Sequence, residues 1–198
     1  MTTVKICGLR CAEDVTCVNA GRPDLAGFVF YPGSARCVTP AQAAALSAQL
    51  APGIVSVGVF VDADPALIAD LAAQGVIRLA QLHGHEDAAY LTRLRALVSI
   101  PVIQAFLLRT PADAAAAQDS AADLILLDNG HGSGRTFDWS LAAAVERDYF
   151  LSGGLTPENV DAAIARLHPY GVDVSSGVET GPRKDPEKVR RFLAAAGH

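Results

Sequence analysis

The sequence predicts an α/β fold, a single (β/α)8 barrel spanning residues 1–198. Three observations carry that expectation. Eight short apolar runs alternate with eight longer Ala- and Leu-rich stretches along the whole chain. The apolar runs read as nearly continuous, as strands do in a parallel sheet covered by helices. Finally, the turn after the first run, Cys7-Gly8-Leu9-Arg10, lacks the G-x-G-x-x-G or P-loop pattern of a doubly wound open sheet, the runner-up architecture.

Taken in order, the first strand is expected at Val4–Ile6, with a helix over 12–20. Leu25–Phe30 leads into a helix over 39–50, where Thr39 caps ahead of Pro40. Ile54–Phe60 precedes a helix over 64–74 that opens on Asp64-Pro65, and Val76–Leu82 precedes one over 86–97. Val102–Phe106 is followed by a helix over 110–120 that begins at Thr110-Pro111. Leu124–Leu127 and a helix over 139–146 form the sixth unit. Tyr149–Leu151, with a helix over 157–167 after Thr156-Pro157, forms the seventh. Val172–Val174, with a helix over 185–196 after Asp185-Pro186, completes a TIM-type barrel. Gly21, Gly53 and Gly75 stand just before strands, as helix C-caps or loop residues. At 198 residues the chain sits at the lower limit of about 200 for eight such units.

Composition narrows the function. Sixteen basic against twenty-one acidic residues give a net charge of −5, which argues against a nucleic-acid surface and requires any anion to be held by local features. The cysteines at 7, 11, 17 and 37 form no C-x-x-C pair, and no His/Cys spacing suggests a metal. With no apolar leader and no run of about 18 apolar residues, a cytoplasmic protein with reduced thiols and no membrane partner is expected.

A barrel of this kind carries its chemistry at the C-terminal ends of its strands. Cys7 follows the first strand, Tyr31 and Arg36 the second, His83 and His85 the fourth, and Asp128 the sixth. Ser152-Gly153-Gly154 and Ser175-Ser176-Gly177 follow the seventh and eighth. Glycine lets backbone N–H groups approach an oxyanion closely, and two such turns on consecutive strands favour a phosphate site over plain connections. Cys7 and Asp128 are the acid–base candidates. Spacing alone leaves each open to a second reading, Cys7 as a small buried apolar residue and Asp128 as a turn residue before Asn129-Gly130. His83 is equally a site-lining or a structural histidine. The segment Asp128–Thr136 holds three glycines and reads as a lid.

Lys5-Ile6-Cys7-Gly8-Leu9 resembles the opening motif of the phosphoribosylanthranilate isomerase family. The likeness continues through Gly27-Phe28-Val29-Phe30-Tyr31-Pro32, Ser34-Ala35-Arg36-Cys37-Val38, Gln81-Leu82-His83-Gly84 and Leu127-Asp128. It ends in two long, specific motifs, Ser152-Gly153-Gly154-Leu155-Thr156-Pro157-Glu158-Asn159-Val160 and Gly171-Val172-Asp173-Val174-Ser175-Ser176-Gly177-Val178-Glu179. The resemblance implies an Amadori rearrangement of N-(5-phosphoribosyl)anthranilate, the third step from chorismate in tryptophan biosynthesis. No metal or organic cofactor is implied. The partner is a small phosphorylated amino-sugar, and the chain is a monomer or homodimer. By the same likeness Asp128 is the general acid, Cys7 the base, and Arg36 the receptor for the anthranilate carboxylate. His83 lines the site, and Gly153, Gly154, Ser176 and Gly177 hold the phosphate. Ala35 and Cys37 depart from the family pattern on either side of Arg36, so that loop is the part the resemblance fixes least.

Two other readings compete. A dual-substrate isomerase that also takes the related histidine-pathway aminoaldose would carry a carboxylate where this chain has Cys7. A phosphosugar-binding barrel without activity would need neither Cys7 nor Asp128.

Overall fold

A computed structural model describes residues 2–128 and 139–198, and of Trp139 the backbone only. Eight parallel strands close into a barrel: β1 (Thr3–Cys7), β2 (Leu25–Val29), β3 (Val55–Phe60), β4 (Leu79–Leu82), β5 (Val102–Leu107), β6 (Leu124–Asp128), β7 (Tyr149–Ser152) and β8 (Gly171–Val174). Helices α1 (Ala12–Gly21), α2 (Pro40–Ser47), α3 (Pro65–Ala73), α4 (Ala88–Arg95), α5 (Pro111–Gln118), α6 (Trp139–Ala143), α7 (Val160–Leu167) and α8 (Pro186–Ala195) alternate with them. β1 pairs with both β2 and β8, with Lys5 opposite Leu25 on one side and Asp173 on the other, so the sheet has no free edge.

Alternation along each strand sorts the side chains into two cores. Leu25, Val57, Leu79, Ile103, Leu126 and Phe150 fill the barrel interior. Val4, Ile6, Ala26, Phe28, Ile125 and Leu127 belong to the larger core that faces the helices. Lys5 pairs laterally with Leu25 and therefore shares the inward face. Cys7, two residues beyond Lys5, shares it too, as do Gln81 beyond Leu79 and Asp128 beyond Leu126. The barrel is thus apolar through most of its depth and polar at its C-terminal mouth.

The caps explain where the helices begin. Thr39 and Gln42 form a reciprocal capping box, Thr110 and Asp113 form another, and Asp64 and Asp185 accept from the first turns of α3 and α8. Asp87 caps α4 without a proline. Gly53 and Gly75 take positive φ values of 98° and 69°, as loop glycines ahead of their strands.

Four expectations need correction. Gly21 remains helical, and the left-handed position belongs to Arg22, at φ 53°. A Cβ on Gly21 would lie 2.6 Å from Leu193 Cδ1, so this glycine serves the packing of α1 on α8. The fourth strand begins at Leu79 instead of Val76, because the Val76 N–H is spent on Leu71 O at the end of α3. Thr156-Pro157 opens a turn in which the Glu158 N–H donates to Thr156 Oγ1, and the regular helix starts only at Val160. The sixth helix stops at Ala143, since Ala144 and Val145 turn back on Leu141 O and Ala142 O in i to i+3 bonds.

After β8 the chain makes a 3-10 turn at Ser176–Val178 and then a two-stranded antiparallel ribbon, β9 (Glu179–Thr180) and β10 (Arg183–Lys184). With two residues to each strand, this ribbon leaves no apolar run in the sequence to mark it. The lid expected across Asp128–Thr136 lies, beyond Asp128 itself, outside the described residues.

Candidate active site

Cys7 and Asp128 close the inward faces of β1 and β6, with β7 and β8 between them around the barrel. Both residues are largely buried, at 8 % and 9 % exposure. A Cβ on Gly27 of β2 would come within 2.8 Å of Cys7 Sγ, so that glycine is what makes room for the thiol. Burial pushes the Cys7 thiol above its ordinary value, and the nearby Lys5 and Lys184 ammonium groups oppose that rise.

His83 joins Asp128 at the mouth. Its Nε2 lies 3.4 Å from Asp128 Oδ2, and its Nδ1 lies 3.0 Å from Gln81 Nε2 on β4. With the Gln81 amide nitrogen facing Nδ1, a neutral ring carries its proton on Nε2 and points it at Asp128. Gln81 itself is buried, and its Oε1 has no hydrogen-bond partner among the described residues.

Arg36 reaches the site from the loop after β2. Its stem crosses the turn that follows Cys7: a Cβ on Gly8, which has φ 85°, would meet Arg36 Cδ at 2.4 Å. Its guanidinium donates from Nε and Nη2 to the two oxygens of Glu179, at 2.8 and 2.5 Å. The fork that the sequence reading reserved for a ligand carboxylate is therefore engaged by Glu179, and the remaining N–H groups face away from that pair. Beside it Arg10, Ala35, Arg36, Glu179, Gly181 and Pro182 line a cavity of about 260 Å3. Lys184 Nζ also donates to Glu179, at 2.8 Å, and to Ser175 O at 3.1 Å. Burial alone would raise the Glu179 carboxyl, but hydrogen bonds from Arg36 and Lys184 outweigh it and bring the pKa down to about 2.

The two glycine turns lie against each other at the ends of β7 and β8. Gly153 and Gly154 take φ 93° and 69°, conformations that favour glycine. Gly177 has no room for any side chain, because a Cβ would sit 1.8 Å from Leu155 O. Asn159 fixes the first turn by donating from Nδ2 to Gly154 O and accepting from Thr156 N–H. The second turn starts a 3-10 helix, whose first N–H groups lack partners within the helix. Ser175 Oγ donates to Cys7 O at 2.9 Å and so ties this turn to the end of β1.

The structure thus brings Cys7, Asp128, His83, Arg36 and both glycine turns to one end of the barrel. His85 stands apart, exposed and paired with Asp62. Glu179, Lys184, Asn159 and Gln81 had no role assigned from the sequence. Gln81, Asn159 and Glu179 stand in the sequence only as polar residues within recognisable motifs, and Lys184 lies beyond them. Among the described residues no set of three His, Cys, Asp or Glu side chains converges to hold a metal. No helix among them is long and apolar enough to cross a membrane.

Comparison with known proteins gives one consistent result. A family model described as N-(5'-phosphoribosyl)anthranilate (PRA) isomerase matches residues 4–195. A curated relative from Geobacter sp. strain M21, N-(5'-phosphoribosyl)anthranilate isomerase, is 43% identical over 204 residues, covering 99% of this chain and 98% of its own. Among solved structures, phosphoribosyl anthranilate isomerase from Thermotoga maritima superposes with a TM-score of 0.91 at 40% identity, covering 100% of this chain and 99% of its own. A phosphoribosyl anthranilate isomerase in complex with reduced 1-(o-carboxyphenylamino)-1-deoxyribulose 5-phosphate matches with a TM-score of 0.89 at 39% identity, with the same coverage.

Proposed function

The chain belongs to the N-(5'-phosphoribosyl)anthranilate isomerase family, and from that premise we propose that it converts N-(5'-phosphoribosyl)anthranilate to 1-(2-carboxyphenylamino)-1-deoxyribulose 5-phosphate by general acid–base catalysis. The reaction is the third step from chorismate in tryptophan biosynthesis. The observation that carries the mechanism is the meeting of a thiol and a carboxyl from β1 and β6 at one barrel mouth, beside two stacked glycine turns.

Asp128 protonates the furanose ring oxygen, and the C1'–O bond breaks as the anilinic nitrogen supplies its electron pair, giving an open-chain Schiff base. Cys7, as thiolate, takes the proton from C2'. The C2'–H electrons move toward the nitrogen and leave an enolamine, which tautomerises to the ketone. One group must begin protonated and the other deprotonated, which suits two residues in different surroundings. His83 Nε2, facing Asp128 Oδ2, orients the acid. The phosphate rests on backbone N–H groups of Gly153, Gly154, Ser176 and Gly177, the usual place for a phosphate in such barrels. The remaining N–H groups of Arg36 receive the anthranilate carboxylate, with Glu179 holding the guanidinium plane.

Mixing the protein with freshly generated phosphoribosylanthranilate and following the loss of its fluorescence tests the activity. Cys7→Ser should lower kcat at least about 100-fold with little change in substrate affinity, because a hydroxyl is far too weakly acidic to replace the thiolate. A Cys7→Ser enzyme of near-normal rate would remove Cys7 from the base role.

A further inference from the structure

Below the mouth, β1 carries a second ionisable group that the reaction scheme leaves unused. Lys5 is fully buried in the barrel interior, two residues before Cys7 and on the same inward face. Its Nζ donates to Asp173 Oδ1 at 2.9 Å, and the two residues are direct neighbours across the β1–β8 pairing. Around them the interior is apolar, formed by Leu25, Leu126, Phe150 and their neighbours. An ion pair in such a place contributes little net stability, because the desolvation of two charges offsets their attraction. Hydrophobic residues of similar volume would serve packing equally well.

What the pair does supply is a fixed positive charge one layer beneath the thiol. Lys5 stands two residues before Cys7 on the same inward face, and the charges of the two groups interact. Burial would drive Lys5 toward its neutral form, but the Asp173 carboxylate overrides this and holds the ammonium charged above its ordinary range. Two other cations reach Cys7, each bound to a carboxylate as Lys5 is. Lys184 of β10 and Arg36 from the loop after β2 both feel Cys7, and both are bound to Glu179. From β2 itself Gly27 offers no side chain, and Asp173 of β8 acts against thiolate formation.

We propose that Lys5 is a positioning residue of the isomerase, its buried ammonium, held charged by Asp173, stabilising Cys7 as the thiolate that abstracts the C2' proton. Asp173 thereby acts through Lys5 instead of on the substrate. The inference rests on Cys7 being the base, and its test therefore reads the ionisation of Cys7 directly, apart from turnover.

The experiment is the pH dependence of iodoacetamide alkylation on the intact chain, quantified on the Cys7-bearing tryptic peptide. That peptide ends at Arg10 and contains no other cysteine. The midpoint of the profile reports thiol ionisation, whereas accessibility changes only its plateau. In Lys5→Met the midpoint should rise by about one pH unit or more, the effect of removing an opposite charge at this range. At neutral pH that is about a tenfold drop in alkylation rate relative to the plateau. The double variant Lys5→Met/Asp173→Asn removes the orphaned carboxylate and serves if Lys5→Met alone folds poorly; its midpoint should still rise, though by less, because Asp173, which opposes the thiolate more weakly than Lys5 favours it, is lost as well. Lys5→Arg keeps the charge and should return the midpoint toward wild type, and the acid limb of kcat/KM should follow the midpoint in each variant. An unchanged midpoint in the folded Lys5→Met or double variant would overturn the proposal. So would a shifted midpoint together with a fully active Cys7→Ser enzyme, which would leave Lys5 tuning a thiol that catalysis does not use. An unshifted midpoint with an inactive Cys7→Ser enzyme would instead spare Cys7 as base and sink Lys5 alone.

Discussion

Glu179→Gln removes one negative charge on which two cations converge. In the native site its carboxylate takes both Arg36 donors and the Lys184 ammonium, and the Lys184 side chain is fully buried. Burial raises the Glu179 carboxyl, the two hydrogen-bonded cations lower it further than that, and the result is about 2 against an ordinary 4.5. At about 1.4 kcal/mol per pH unit this interval corresponds to about 3 kcal/mol in favour of the charged form. The Arg36 side chain is 30% exposed, so solvent screening reduces the contribution to about 2 kcal/mol. For a domain of this size that is a fall in Tm of about 4–8 °C at neutral pH. Because the folded-state value lies below the unfolded one, the contribution is complete above about pH 4.5 and is lost as pH falls toward about 2. Urea midpoints of wild type and Glu179→Gln, measured from about pH 7 to about pH 3, should differ by a constant amount down to about pH 5 and then converge. Equal midpoints at neutral pH, or a gap that stays constant to about pH 3, would refute this account of the cluster.

Three further substitutions probe the site. Asp128→Asn keeps a hydrogen-bond donor but no transferable proton, so kcat should fall by about 10²–10⁴ while product affinity, followed by fluorescence titration, stays near wild type; collapse of both together would make Asp128 an organiser of the fold. Arg36→Met should raise KM about tenfold or more with a smaller effect on kcat, since the anthranilate carboxylate is present in substrate and transition state alike. In Gly177→Ala the new Cβ meets Leu155 O at 1.8 Å, and a backbone atom cannot give way without parting the two turns. Competitive inhibition by inorganic phosphate should weaken by about tenfold for a lost charge-assisted contact, and an unchanged inhibition constant would move the phosphate site elsewhere.

Which parts of the fold could be read in advance follows from the range of each signal. Proline behind a capping side chain is a local signal, and Thr39, Asp64, Thr110 and Asp185 each cap the helix expected of them. The same pattern at Thr156-Pro157 misplaces a helix start, because Asn159 turns the chain back onto Gly154 before the helix begins. Apolar runs give strand existence but not strand ends: Val76 and Ile77 are buried, yet they seal α3 instead of joining the ladder. For the site, strand-end position alone nominated Cys7, Asp128, His83 and both glycine turns. The Arg36–Glu179 pair spans 143 residues of chain, a separation no local pattern encodes. Lys5 offered a legible clue, a lysine within an apolar strand, but its Asp173 partner lies 168 residues away.

That 168-residue separation also bears on how the chain is made. Synthesis proceeds from the N-terminus, so β1 and the first α-helix leave the ribosome long before β8 exists to cover them. Until residues 171–174 emerge, one side of β1 has no ladder partner, and the nascent sheet keeps an open edge of the kind that recruits stray strands. Lys5 lies on that edge. In the unfinished barrel it is a solvated charge, the feature that discourages edge-to-edge association, and it becomes a buried group only when Asp173 arrives. The β1–β8 seam, with α8 packed on α1, is the last part of the barrel that synthesis makes available. A chain stalled short of β8 would remain an open sheet, kept apart from its neighbours by a residue that the completed barrel buries fully.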